Sequence, residues 1–117
     1  MTIKIKRIYE PFAKTDGYRI LVDRLWPRGV SKEKAQVDIW MKEVAPSTDL
    51  RKWFSHEPEK WTGFLTKYHT ELKGSAIFEE LIALTGKHKT ITLLYAAKNE
   101  THNQAAALKK FIAAEYQ

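Results

Sequence analysis

Two short apolar runs, Ile20-Leu21-Val22 and Ile91-Thr92-Leu93-Leu94-Tyr95, constrain the fold of this chain most. The first reads as part of a strand over Tyr18 to Val22 that is buried on both faces, the kind found inside a parallel sheet covered on both sides. The second belongs to the clearest strand of the chain, Thr90 to Tyr95, β-branched and apolar. A third strand is expected over Ile3 to Ile8, where Ile3 and Ile5 alternate with Lys4 and Lys6 and leave one face solvated. Strand, loop and helix alternate at both ends of the chain, which predicts an α/β fold with a small, mostly parallel sheet flanked by helices. A chain of 117 residues has room for one core, so 1–117 is expected to be a single α/β domain. The connection from Ile8 to Tyr18 is short for a parallel crossover, which leaves an antiparallel pairing of the first strand open.

Between the strands the sequence predicts helices. Ser31 caps a helix over Lys32 to Val44, stopped by Ala45-Pro46 because the residue before proline avoids helical geometry. Ser47 caps a short helix that presents Leu50, Trp53 and Phe54. Pro58 opens an amphipathic stripe of Trp61, Phe64, Leu65, Tyr68 and Leu72. Gly74-Ser75 breaks the pattern before Ile77, Phe78, Leu81 and Ile82, and Gly86 fits a left-handed C-terminal cap. Thr101 and Gln104 match a capping box at the start of the last helix, whose apolar face carries Ala105, Leu108, Phe111 and Ile112.

Charge says where function concentrates. The formal net charge is +6, but no block of like charge exists and a disordered basic tail is excluded. All five arginines and all four tryptophans precede residue 62. Arginine suits bidentate anion contacts and stacking better than lysine does, so the first half is expected to hold the site. Without cysteine there is no disulfide, no thiol nucleophile and no Cys-ligated metal. The longest strongly apolar run, Ile91 to Ala97, is far short of the ~20 residues of a membrane span. The N-terminus has no apolar core long enough for a signal peptide. A cytoplasmic protein with no membrane partner is the expectation, and the oligomeric state is open.

The segment Asp23-Arg24-Leu25-Trp26-Pro27-Arg28-Gly29 follows the second strand directly. Parallel strands at Tyr18–Val22 and Thr90–Tyr95 would open their following loops on one sheet edge, the usual ligand crevice of such sheets. That brings Asp23, Arg24, Trp26 and Arg28 towards Lys98, Asn99, His102 and Asn103, beside a helix N-terminus that favours an anion. Arg24, Trp26, Arg28, Arg51, His56, Tyr68, Lys98 and Asn103 are candidate ligand-binding residues, and Glu43, Asp23 and His102 candidate acid/base groups. The competing reading has Arg24 and Arg28 paired with Asp23, Asp38 or Glu43 to staple a long loop, with Trp26 in the core. Among four histidines, His69 and His88 read as surface residues, and no spacing suits a metal. No metal is expected, and with no Gly-rich phosphate loop or Ser-His-Asp pattern no cofactor is called for.

These residues resemble the domain-of-unknown-function 488 family in its YeaO-like branch. The similarity rests on Arg7-Ile8-Tyr9, Asp16-Gly17-Tyr18-Arg19, Val22 through Gly29, Asp38-Ile39-Trp40, and Lys42 through Ser47. It continues through Leu50-Arg51, Trp53-Phe54-Ser55-His56, Trp61, Phe64, Tyr68, Glu71-Leu72, Leu93 through Lys98, and His102-Asn103. The resemblance implies an α/β fold of bacterial type without an established activity. Broader relatives carry cysteines and a Cys-His-Arg run near the final strand–helix junction, where this chain has Ala96, Ala97, His102 and Asn103; thiol chemistry does not carry over. Residues and resemblance together predict a basic crevice for a small anionic ligand of phosphate or nucleotide type. A nucleic-acid accessory protein and a non-catalytic interaction module are the rival readings.

Overall fold

The two apolar runs become the two central strands of one sheet. The computed structural model describes residues 1–116, and Gln117 lies outside the described residues. Strands β1 (Thr2–Arg7), β2 (Tyr18–Leu21), β3 (Ile39–Trp40) and β4 (Thr90–Tyr95) assemble in the order β1-β4-β2-β3. Every ladder is parallel. Five α-helices join them: α1 (Lys32–Ala35), α2 (Thr48–Phe54), α3 (Trp61–Leu72), α4 (Ala76–Lys87) and α5 (Gln104–Glu115).

The antiparallel option for β1 falls away because β4 lies between β1 and β2. Residues 9–17 have only to run back past one strand, and nine residues at ~3.3 Å each span that. The lysines of β1 hold this return. Lys4 Nζ donates to the Thr15 carbonyl at 3.0 Å, and Lys6 Nζ to the Pro11 carbonyl at 2.8 Å and to Asp16 at 3.0 Å. The turn into β2 needs Gly17, at φ 69°, because a Cβ there would run into the Thr90 backbone.

Strand alternation divides the core between the two faces of the sheet. Ile20, Val22, Ile91, Leu93 and Tyr95 join one cluster with side chains of α2, α3, α4 and α5. Leu21 and Leu94 join the other, with Ile8, Ala35, Trp26 and Trp40. Beside the second cluster Arg19 is buried to 1% exposure. Its guanidinium donates to Asp16 at 2.5 Å, to the Ala35 carbonyl at 2.8 Å and to the Gln36 carbonyl at 3.1 Å.

The helix expected over Lys32 to Val44 stops at Ala35. Gln36 turns left-handed at φ 47°, and the next residues extend into the sheet edge. Arg19 N–H donates to the Asp38 carboxylate at 2.8 Å, while Asp38 N–H returns a bond to the Arg19 carbonyl at 2.9 Å. Pairing of β-branched residues with β2 outweighs the helix propensity of the lysines and glutamate. Lys42–Val44 forms a 3-10 turn instead. Ser31, Ser47 and Ser75 do cap α1, α2 and α4. Pro58 opens a 3-10 turn that leads into α3. Gly86 lies inside α4, which runs on to a cap at His88, and His88 stacks on Tyr18 with ring centroids 3.9 Å apart.

Candidate functional site

Because β2 and β4 are parallel neighbours, the segments that follow them emerge side by side. Val22 N–H continues the ladder to the Leu94 carbonyl at 3.1 Å. One residue on, Asp23 Oδ2 accepts from Ala96 N–H at 3.0 Å, which joins the two loops directly. The Asp23 carbonyl accepts from the Trp40 indole N–H at 2.7 Å, and Oδ1 accepts from the Gln104 amide. No cation forms an ion pair with this carboxylate among the described residues. Burial pushes its pKa up to about 6, against the opposing pull of Ala96 N–H, the Arg51 charge and Gln104.

The start of α5 explains how Gln104 comes to face Asp23. The expected capping box is not formed: Asn103 is the N-cap, its Oδ1 accepting from Ala106 N–H at 2.9 Å. Asn99 makes the preceding turn, accepting from the N–H groups of Thr101 and His102 at 2.9 Å. Asn at the cap position satisfies the first turn as well as Thr would, and it frees the Gln104 side chain to reach across to Asp23.

A cavity of about 750 Å³ opens at this edge, between the Asp23–Arg28 loop, α2 and the start of α5. Of the expected site residues, Asp23, Arg24, Trp26, Arg28, Arg51, His56, His102 and Asn103 line it. Among the described residues four of its lining residues are Arg or Lys, namely Arg24, Arg28, Arg51 and Lys52, while Asp23 is the one carboxylate. Arg24 Nη2 donates to the Ala45 carbonyl at 3.0 Å and to that of Pro46 at 3.4 Å, pinning the approach to α2. Its Nε is buried with no hydrogen-bond partner. Arg28 is exposed, and neither it nor Arg24 forms the ion pair with Asp23, Asp38 or Glu43 that the competing reading requires. The Trp26 indole donates to the Val30 carbonyl at 2.8 Å and packs edge-on against Trp40, so it closes its own loop at the cavity wall.

Ser55 and His56, which follow α2, are both left-handed, at φ 47° and 56°. Such residues cost of order 1–3 kcal/mol each and cluster where a site over-determines the backbone. Here they turn His56 into the cavity lining. His102 also lines the cavity, edge-on to Trp61 with ring centroids 4.9 Å apart.

Three expected residues lie elsewhere. Tyr68 is fully buried and donates to the Val44 carbonyl at 2.5 Å, so its hydroxyl is spent in the core. Glu43 is exposed on the 3-10 turn and does not line the cavity, because the break of the expected helix turns it outward. Lys98 lines an adjoining cavity rather than this one. The sequence reading missed Gln104 and Lys52. The signal for Gln104 was a polar amide in the first turn of a helix that follows a central strand. Among the described residues no group of three or more His, Asp or Glu gathers as metal ligands would, and no helix is long and apolar enough to cross a membrane.

The sequence-level resemblance can now be set beside this geometry. A family model described as "Inactive DUF488-N3 subclade" matches residues 2–117. The chain belongs to the DUF488 family. Over 112 residues this DUF488 chain is 45% identical to "Uncharacterized protein YeaO" of Escherichia coli strain K12, a match covering 96% of the chain and 97% of the relative. It is 40% identical over 110 residues to "Uncharacterized protein Rv3073c" of Mycobacterium tuberculosis strain H37Rv, covering 94% and 92%. No solved structure matches it. At the β4–α5 junction of this DUF488 chain Ala96 and Ala97 line the cavity, so that stretch of wall carries no reactive side chain.

Proposed function

We propose that the cavity at the C-terminal edge of β2 and β4 binds a small anionic ligand of phosphate or nucleotide type and holds it without turning it over. The observation that carries the reading is Arg24. Its Nε is the one buried side-chain nitrogen or oxygen without a partner among the described residues. Leaving such a group unpaired costs ~1–3 kcal/mol, more for a charged one. An anion held against the cavity side of the guanidinium would offset part of that cost through its charge rather than through a bond to the buried Nε. Arg28, Arg51 and Lys52 on the same cavity add charge that no ion pair consumes among the described residues. The family description as inactive supports binding rather than turnover.

Asp23 sets the pH at which this works. At an effective dielectric of ~20, unit charges ~4 Å apart interact by ~4 kcal/mol, so an ionised Asp23 would cancel much of one cation's attraction. Burial favours its neutral form up to about pH 6. A neutral Asp23 repels no anion and can donate a hydrogen bond, so affinity for an anion of fixed charge rises as pH falls towards that value.

A cavity favours a small ligand over duplex DNA, which would need a long exposed basic stripe. Duplex affinity should be weak and fall steeply with salt. Isothermal titration calorimetry with AMP and with inorganic sulfate, which keeps its charge over this range, at pH 5.5 and pH 8, tests the reading. Saturable binding of both is expected, with sulfate bound more tightly at pH 5.5. No binding of either at either pH, or sub-micromolar sequence-dependent duplex binding at physiological salt, would overturn it.

A further inference from the structure

A second cavity of about 620 Å³ adjoins the first and shares three lining residues with it, His56, Ala96 and Ala97. Its other walls include Arg7, Tyr9 and Lys98, and among the described residues no carboxylate lines it. Arg7 is held by its own Nε, which donates to the carbonyls of Ala96 and Ala97 at 3.2 and 3.0 Å. Its guanidinium carbon lies 4.8 Å from the centroid of the Tyr9 ring, which is 48% exposed. Neither Arg7 nor Lys98 forms an ion pair among the described residues. Each cavity therefore pairs unneutralised cations with an aromatic wall, and His56 stands on the boundary between them.

The two cavities together exceed what one mononucleotide fills, since a pocket of ~300–1,000 Å³ takes a whole drug-sized ligand. We infer that the site takes an extended ligand with two phosphate groups separated by a nucleoside. One phosphate sits against Arg28 and Arg51 and the other against Lys98 and Arg7, with the intervening ring beside His56. This rests on the anion-binding reading above and names the ligand class of the same site. A free dinucleotide and the end of a single strand both present this chemistry. Cations on both sides of a shared wall suit either, and aromatic side chains beside arginine suit stacked bases.

Calorimetric titration of the full chain with AMP, with the 5′-phosphorylated dinucleotide pApA and with a 5′-phosphorylated 12-nucleotide oligo-A of the same ribose backbone tests the inference. The dinucleotide is expected to bind at least tenfold more tightly than AMP. Lys98 is exposed, so Lys98→Ala should fold normally and shrink that preference to under threefold. Thermal unfolding of the variant checks its fold, and Lys98→Arg should restore the preference. If AMP binds and pApA binds no more tightly, or if Lys98→Ala leaves the preference intact, the two-cavity ligand is overturned while the anion site stands. If neither ligand binds, the anion site itself fails and this inference with it. Given tighter pApA binding, an oligonucleotide that binds as tightly as pApA or better assigns a strand end, and one that binds less tightly assigns a free dinucleotide.

Discussion

An Asp–Arg combination stands at each end of β2, and the fold treats the two in opposite ways. At the start of the strand Asp16 and Arg19 are both buried and directly paired, with Lys6 completing the network and two carbonyls accepting from Arg19 Nε and Nη2. Burial alone would raise the Asp16 carboxyl, but the bonds from Lys6, Ala13 and Arg19 outweigh it and hold the pKa below its ordinary 3.8. At the end of the strand Asp23 and Arg24 are consecutive yet unpaired. Asp23 turns to neutral N–H donors and is raised to about 6, while Arg24 holds two carbonyls and keeps one buried nitrogen unpartnered. The same two residue types build a closed structural network in one place and an open basic edge in the other. Partner count, not residue type, separates the closed network from the open edge.

The largest effect belongs to the closed end. Arg19→Met should cost ~3–5 kcal/mol in urea unfolding, since it strips a buried carboxylate of one partner and leaves the Ala35 and Gln36 carbonyls unpaired. A loss under ~1 kcal/mol would mean that the closed network is no more structural than an exposed ion pair.

Next comes the pH behaviour of Asp23. The folded chain holds this proton more tightly than the unfolded chain does, so the neutral carboxyl contributes stability that is complete below pH 3.8 and lost as pH rises through about 6. By neutral pH the loss amounts to ~2–3 kcal/mol. Asp23→Asn should abolish this slope and be the more stable protein at pH 7.5, because the Gln104 amide can flip to accept from the new amide. A slope retained in Asp23→Asn would place the titration elsewhere. Denaturant midpoints at pH 4, 5.5 and 7.5 decide it.

Arg24→Ala should cost less, ~1–2 kcal/mol, because the two carbonyl bonds it loses are partly offset by removal of an unpartnered donor. It should weaken AMP binding at the same time. A cost equal to that of Arg19→Met would erase the contrast between the two ends.

This contrast was only half legible in the sequence. The central strands, the shared loop edge and the serine caps followed from local patterns: β-branched runs, a strand leading straight into an Arg-Trp loop, and Ser before helix-forming residues. The failures came where a long-range partner overrode a local preference. Lys32-Glu33-Lys34 predicts a continuing helix until Asp38 exchanges two hydrogen bonds with Arg19, about twenty residues upstream. Thr101 predicts the cap until Asn103 takes it and releases Gln104 to Asp23, across most of the chain. Tyr68 sits on an amphipathic stripe whose hydroxyl is claimed by Val44 rather than the cavity. Arg19 carried no sign of its burial, since an arginine inside an apolar strand is legible only with its partners in place.

Arg28 tests the central claim most directly, because it lines the cavity and is exposed, and among the described residues it forms no ion pair. Arg28→Ala should be measured twice, by urea unfolding and by calorimetric titration with AMP at pH 5.5. Surface positions of this kind change stability by no more than ~0.5 kcal/mol, and the unfolding curve should stay within that range. AMP binding should weaken at least tenfold, and Arg28→Lys should restore only part of it. Unchanged AMP binding, or a stability loss comparable with that of Arg19→Met, would contradict the account.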